Sequence, residues 1–127
     1  MQIYVFGNQD SKLDNRVFEI IKKYSDINFK IIDPNGDLPT DSPTIIMDTV
    51  FGLDQVTLLT EKDLDKLIPS PRTSAHDYDL GFQLKYLRKI GKLNKVSIIG
   101  IPQTGPLDYN LFHSILRKLV AQDIQGS

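Results

Sequence analysis

Short apolar runs alternate with amphipathic stretches along this chain, and that alternation constrains its fold more than any other feature. Four runs rich in β-branched and aromatic residues are expected to form strands, at residues 3–6, 29–32, 44–47 and 96–99. Three of them are almost continuously apolar, as in strands that are covered on both faces. Residues 56–59 are expected to add a fifth strand, for which an antiparallel edge position is one option. The pattern predicts an α/β domain.

Three helices are expected between and after these strands. Residues 13–24 carry apolar side chains at helical spacing, which predicts one buried stripe. A second helix is expected at 80–90, ending near Gly91, since glycine is the usual residue after a helix. A third is expected at 109–121, with Asp108 as its N-cap. Residues 61–67 are expected to form a short helical turn.

The bulk properties indicate a single ordinary globular domain. The chain has 127 residues, of which 40% are hydrophobic and 24% charged, and we expect one domain over residues 1–124 and a flexible tail at 125–127. The net charge of −1 argues against a partner of nucleic acid or anionic membrane. No apolar run approaches the roughly 18–20 residues that span a bilayer. The chain has no cysteine and its start lacks the features of a signal peptide, so a cytoplasmic location is expected. We also expect a monomer.

Polar residues follow several of the expected strands. Asn8, Asp33 and Asp48 come after the first, second and third strands. In parallel sheets, ligands bind beyond the carboxyl ends of the strands. Asp14 opens the first helix, and His76 lies in the loop before the second helix. Because two carboxylates and one imidazole suit a borderline divalent ion, Asp14, Asp48 and His76 form a candidate site for nickel or zinc.

Each of these residues also has an ordinary structural interpretation. Asp14 closes a capping-box pattern that begins at Ser11, in which an acid bonds back to a backbone amide. Asp48 fits the cap of a turn, and His76 fits a loop histidine bonded to backbone. His113 lies away from the apolar stripe of the last helix, so a solvated side chain without a functional role is expected there.

Four motifs, taken in order, resemble those of the nickel–iron hydrogenase maturation endopeptidases. The first strand of that family ends in Gly-Ile-Gly-Asn and is followed by an acidic pair. Residues 5–8 read Val-Phe-Gly-Asn, and Asp14 stands at the second acid, a metal ligand of the family. The next family strand ends in Asp-Ala-Val, and residues 48–50 read Asp-Thr-Val, which places Asp48 at the second ligand.

The two later motifs extend the resemblance to nearly the whole chain. The third ligand of the family lies in Ser-x-His before a helix, and residues 74–76 read Ser-Ala-His. The last strand of the family runs into Gly-Ile-Gln-Pro, where residues 100–103 read Gly-Ile-Pro-Gln. The resemblance implies a phosphorylase/hydrolase-like three-layer α/β/α sandwich around a twisted, mostly parallel five-stranded sheet. It also implies an endopeptidase that removes the C-terminal extension of a hydrogenase large-subunit precursor.

The resemblance further implies that nickel arrives already bound to the precursor. Asp14, Asp48 and His76 are then both the metal ligands and the catalytic set, and zinc or cadmium is expected to substitute for nickel in vitro. The chain departs from the family pattern at Val5, Leu13 and Asn15, where the family has glycine, an acid and glycine.

Two alternatives remain open at this point. The first is a relative that binds the metal or the precursor without cleaving it. The second is a receiver-like signalling module, because residues 45–48 resemble a phosphoacceptor strand. That chemistry needs an acidic pair after the first strand and a lysine after the last, and neither Gly7-Asn8 nor residues 100–103 supply them.

Overall fold

The computed structural model describes residues 2–6, 15–32, 43–50, 52–66 and 80–126. These residues form five strands, three α-helices and one short 3-10 helix. In chain order the elements are β1 (Gln2–Val5), α1 (Asn15–Lys23), β2 (Asn28–Ile31), β3 (Thr44–Val50), β4 (Thr57–Thr60), the 3-10 helix (Glu61–Lys66), α2 (Leu80–Lys89), β5 (Val96–Pro102) and α3 (Tyr109–Gly126).

The strands form one mixed sheet in the order β2-β1-β3-β5-β4. The pairs β1–β2, β1–β3 and β3–β5 are parallel, whereas β4 pairs antiparallel with β5 at the edge. This confirms the predicted α/β fold, the mostly parallel sheet and the antiparallel edge position for the fifth strand.

Helices cover both faces of the sheet, which makes the fold a three-layer sandwich. On one face, buried residues of α1 and α3, among them Val17, Ile20 and Phe112, pack with Ile3 and Met47 of the sheet. On the other face a second core joins the sheet to α2 and the 3-10 helix, and its buried members are Phe6, Ile32, Ile46, Leu64, Leu84, Val96 and Ile98. Successive strand residues point to opposite faces, so the nearly continuous apolar runs of β3 and β5 serve both cores.

The central strands are longer than their apolar runs. β3 continues from the predicted end at Met47 to Val50, and β5 continues from Ile99 to Pro102. The two strands pair throughout, from Thr44 opposite Val96 to Val50 opposite Pro102. Asp48 therefore lies within β3 rather than after it, because strand pairing continues past the residues that the hydrophobic pattern marks.

The helix ends follow ordinary capping chemistry where they are described. The backbone N–H of Leu111 donates to the Asp108 carboxylate at 3.1 Å, which confirms Asp108 as the N-cap of α3. Gly91 follows α2 with a φ of 75°, a conformation that favours glycine. α3 is longer than predicted, since it continues through Gln125 and Gly126, two residues expected in the tail. The predicted start of α1 at residue 13 lies outside the described residues.

Within the described ranges, no helix combines the length and the apolar character that crossing a membrane requires.

Candidate active site at the β1–β3 switch point

The chain adds its strands to one side of β1 first and then to the other side. From β1 the chain crosses to β2 on one side, and β3 then pairs with the opposite side of β1. In open α/β sheets, such a reversal leaves a crevice outside the carboxyl ends of the two strands, and ligands bind there. β1 ends at Val5, while β3 continues to Val50, so Asp48 to Val50 extend beyond β1 at this point.

Asp48 is placed at the crevice by the register of the sheet. Asp48 pairs with Gly100 of β5, and its side chain is half-buried. The carboxylate atom Oδ1 accepts a hydrogen bond of 2.8 Å from the backbone N–H of Thr49. This hydrogen bond holds the carboxylate in one orientation, because a charged acceptor bonds strongly to a backbone donor.

The hydrogen bond also shows which side of β3 the carboxylate occupies. The backbone N–H of Phe6, just after β1, donates to the Met47 carbonyl at 2.9 Å, so the backbone polar groups of Met47 point toward β1. Thr49 comes two residues later and presents its N–H to the same side. Since this N–H reaches the Asp48 carboxylate, the carboxylate lies on the β1 side of β3, beside the switch point.

The Thr49 side chain carries a hydroxyl group in a buried position. Its hydroxyl oxygen is buried and has no hydrogen-bond partner in the part of the chain that the structure describes. Buried polar groups are normally paired, and an unpaired one costs about 1–3 kcal/mol. No sequence signal distinguishes this threonine from an ordinary strand threonine, because the pairing of its hydroxyl depends on tertiary contacts.

Arg16 ties the start of α1 to the end of β5. Its Nη1 donates to the Pro102 carbonyl at 2.6 Å, and its Nη2 donates to the Gly105 carbonyl. The two acceptors lie at the carboxyl end of β5 and in the loop that follows. Sequence reasoning missed this residue. The available signal was its charge, since an arginine in the first turn of a helix is disfavoured by the helix dipole.

Gln55 holds the same loop from the other side. We call residues 103–108, between β5 and α3, the edge loop. The Gln55 amide donates to the Pro106 carbonyl at 3.1 Å, and its oxygen accepts from the backbone N–H of Asp108 at 2.9 Å and of Val56 at 3.1 Å. The backbone polar groups of the edge loop are thus bonded by side chains from α1 and from the segment before β4, which gives the loop a defined position.

Of the three predicted site residues, the structure describes Asp48. Asp14 and His76 lie outside the described residues, as do Asn8 and Asp33. Among the described residues there is no group of three histidine, cysteine, aspartate or glutamate side chains that could hold a metal ion. The three-residue site therefore remains a prediction. In the part of the site that the structure describes, the Asp48 carboxylate is half-buried and accepts the Thr49 backbone N–H.

His113 takes part in a defined contact, although its side chain is exposed as predicted. Its Nε2 lies 3.0 Å from the Tyr24 hydroxyl, at hydrogen-bond distance, and the two rings are 5.2 Å apart between centroids. The Tyr24 ring also lies 5.2 Å from Phe112. Burial is the main cause that raises the pKa of the Tyr24 hydroxyl above 10.0, with a smaller contribution from Tyr109. The exposed side chain agrees with the prediction of a solvated histidine, and the contact with Tyr24 in addition joins α3 to the end of α1.

A comparison with known proteins adds one solved structure. No model of a protein family matches the chain. No curated protein matches it either. The solved structure is that of the hydrogenase maturating endopeptidase HybD from E. coli, which is 21% identical, with a TM-score of 0.55. The match covers 99% of this chain and 94% of that one, so the two proteins share their fold over nearly their whole lengths.

Proposed function

We propose that this protein is an endopeptidase that removes the C-terminal extension of a nickel-loaded hydrogenase large-subunit precursor. The observation that carries the proposal is the position of Asp48. Its oriented carboxylate lies beside the β1–β3 switch point, where α/β sheets bind their ligands. The fold shared with a hydrogenase maturating endopeptidase and the ordered family motifs at Asp14, Asp48 and His76 support it.

In this proposal nickel is part of the substrate, because it arrives in the precursor. Asp14 and Asp48 contribute carboxylate oxygens, and His76 contributes a neutral imidazole nitrogen. The three side chains thereby test whether the precursor holds its metal, since an unloaded precursor lacks the ion that completes the contact. The same contact orients the C-terminal extension at the sheet edge.

The chemical step is hydrolysis of one peptide bond. Water adds to the scissile carbonyl carbon, the bond to nitrogen breaks, and the amine leaves with a proton. Two routes are open for activation. Either a site carboxylate takes the proton of the attacking water, or the carbonyl oxygen is polarised by the substrate's nickel.

The proposal is tested by incubating the protein with nickel-loaded precursor and following the mass of the precursor. Wild-type protein is expected to release the extension, whereas Asp14→Ala, Asp48→Ala and His76→Ala are expected to lose this activity. The matched controls are Asp26→Ala and His113→Ala, which remove the same residue types elsewhere. Unchanged cleavage by all three site variants would show that the site is assigned wrongly.

A second candidate function is binding of the metal or the precursor without cleavage. It is favoured by Val5, Leu13 and Asn15, where the chain departs from the family pattern. Titration with nickel, zinc or cadmium tests the site that the two functions share, because both require the ion to bind through Asp14, Asp48 and His76, and cleavage of the loaded precursor separates them. A protein that binds the ion but leaves every loaded precursor intact has the second function.

A further inference from the structure

We propose that Arg16 is a positioning residue of the candidate site, which holds the start of α1, the helix that follows Asp14 in the chain, against the end of β5, the strand paired with that of Asp48. This inference rests on the proposed function, because it assumes that the two carboxylates share one cation. Arg16 itself touches neither the ion nor the substrate. It acts by holding α1 and β5 in one arrangement.

The guanidinium group of Arg16 spans two backbone positions. Nη1 bonds the Pro102 carbonyl, the last residue of β5, and Nη2 bonds the Gly105 carbonyl in the edge loop. A planar guanidinium can donate to two acceptors at once in a fixed geometry, whereas a lysine ammonium is a point charge on a flexible chain. Arg16 therefore restrains both the distance and the orientation of α1 relative to β5.

Pro102 is a suitable anchor because it is in register with the strand of Asp48. Asp48 lies opposite Gly100, and Val50 lies opposite Pro102. With ordinary strand spacing and rise, the Asp48 and Pro102 Cα atoms are about 8 Å apart. At the other end of the restraint, Asp14 precedes Arg16 by two residues in the chain. A single side chain thus connects the start of α1 to the rim of the sheet that holds Asp48.

The edge loop, to which Arg16 bonds, is itself held in place by hydrogen bonds. Gln55 bonds Pro106 and Asp108 on the far side of Gly105, and the Asp108 carboxylate caps α3. Arg16 therefore bonds to a loop that is itself held at three points. The helix dipole disfavours a cation in the first turn of α1, so helix stability does not explain why an arginine stands there.

Removal of the restraint should weaken metal binding without removing a ligand. We expect Arg16→Ala to lower the affinity for Cd²⁺ or Ni²⁺ by about 10- to 100-fold, the range observed when residues that orient metal ligands are lost. Arg16→Lys keeps the charge but cannot span both carbonyls, so its affinity should also stay well below that of the wild type. Full recovery in Arg16→Lys would show that charge matters rather than position, and would overturn the inference.

The experiment is a titration of the full chain with Cd²⁺ by calorimetry, with the thermal midpoint measured for each variant. Arg88→Ala is the matched control, since it removes an exposed arginine whose partner is Asp65 on the 3-10 helix. Its affinity for Cd²⁺ should equal that of the wild type. A loss of the same size in Arg88→Ala would attribute the effect to net charge and overturn the inference.

A double-mutant cycle identifies Asp14 as the group through which Arg16 acts. Asp14→Glu keeps a carboxylate but moves its oxygens, so binding remains measurable. If Arg16 sets the position of Asp14, the effects of Arg16→Ala and Asp14→Glu should depend on each other. Effects that simply multiply would show that Arg16 acts independently of Asp14, contrary to the proposal.

The outcome also separates this inference from the proposed function. A wild type that binds no Cd²⁺, or binds it without regard to Asp14 and Asp48, refutes the proposed site and the role of Arg16 with it. A wild type that binds through both carboxylates, beside an Arg16→Ala variant of unchanged affinity, refutes the role of Arg16 alone. With the precursor as substrate, the positioning role predicts a higher KM for Arg16→Ala, because the nickel of the precursor is bound through the same carboxylates.

Discussion

Asp48 and Gly100 lie directly opposite each other in the parallel pair of β3 and β5. A side chain at Gly100 would press on its neighbours. A methyl group there would lie 2.6 Å from Leu53 Cδ1 and 3.3 Å from Val50 Cγ2. The strand that supports the candidate site is thus packed closely against the Leu53 side chain before β4, and close contact rather than backbone conformation favours glycine here.

We therefore expect Gly100→Ala to lower the free energy of unfolding by about 1–3 kcal/mol through overpacking. The nearest atom belongs to the end of the Leu53 side chain, so Leu53→Ala should recover part of the loss in the double variant. Urea denaturation of the wild type, the two single variants and the double variant measures how far the effects of the two substitutions depend on each other. Gly91→Ala is the control, because its cost comes from a φ of 75° with no atom within 4 Å, and Leu53→Ala should not relieve it.

Thr49→Val should stabilise the protein by about 1 kcal/mol. The substitution keeps the branched shape and removes a buried hydroxyl that has no partner among the described residues. Thr49→Ser is the matched control, since it keeps the hydroxyl and loses the methyl group, and it should destabilise the protein. Thermal unfolding compares the stability of the wild type and the two variants. A large loss of stability in Thr49→Val would show that the hydroxyl is paired in solution.

Asp108→Ala should lower the free energy of unfolding by about 1 kcal/mol, because it removes the N-cap of α3. The lost interaction is the 3.1 Å hydrogen bond from the Leu111 N–H to the carboxylate. Asp108→Ser should retain most of the stability, since a serine hydroxyl caps the same position. Urea denaturation tests both variants, and equal losses in the two would contradict the capping role.

Tyr24→Phe should cost about 1 kcal/mol at neutral pH through loss of the contact with His113. The direction in which the stability of the wild type changes at alkaline pH follows from the pKa of Tyr24. Burial raises the pKa of the folded-state Tyr24 above its unfolded value of 10.0, so the folded state resists ionisation. Stability is therefore retained below pH 10 and falls as the pH rises through the folded-state pKa.

Because Tyr24→Phe lacks this ionisation, the stability difference between wild type and variant should narrow above pH 10. Urea denaturation between pH 8 and about pH 11 measures the difference. Tyr86→Phe is the matched control, since Tyr86 is 52% exposed and its loss leaves the contact between α1 and α3 intact. A difference that widens with pH would contradict burial as the cause.

The sequence by itself determined the class of fold, the identity of the strands and the faces of the helices. These features follow from local periodicity, because a period of two or of 3.6 residues shows which side chains are buried. Periodicity also located Asp108 and Gly91, whose roles depend on residues within one helical turn. It placed Asp48 near a strand end, although it ended β3 too early.

Tertiary structure alone decided how these elements meet. Three features depend on pairing between residues far apart in the chain. They are the extension of β3 to Val50, the bonds of Arg16 to two carbonyls and the contact between Tyr24 and His113. Local periodicity carries no information about such pairings, since it reports burial and not the identity of a partner. The orientation of the Asp48 carboxylate toward β1 is of the same kind, because it depends on which neighbouring strand ends first.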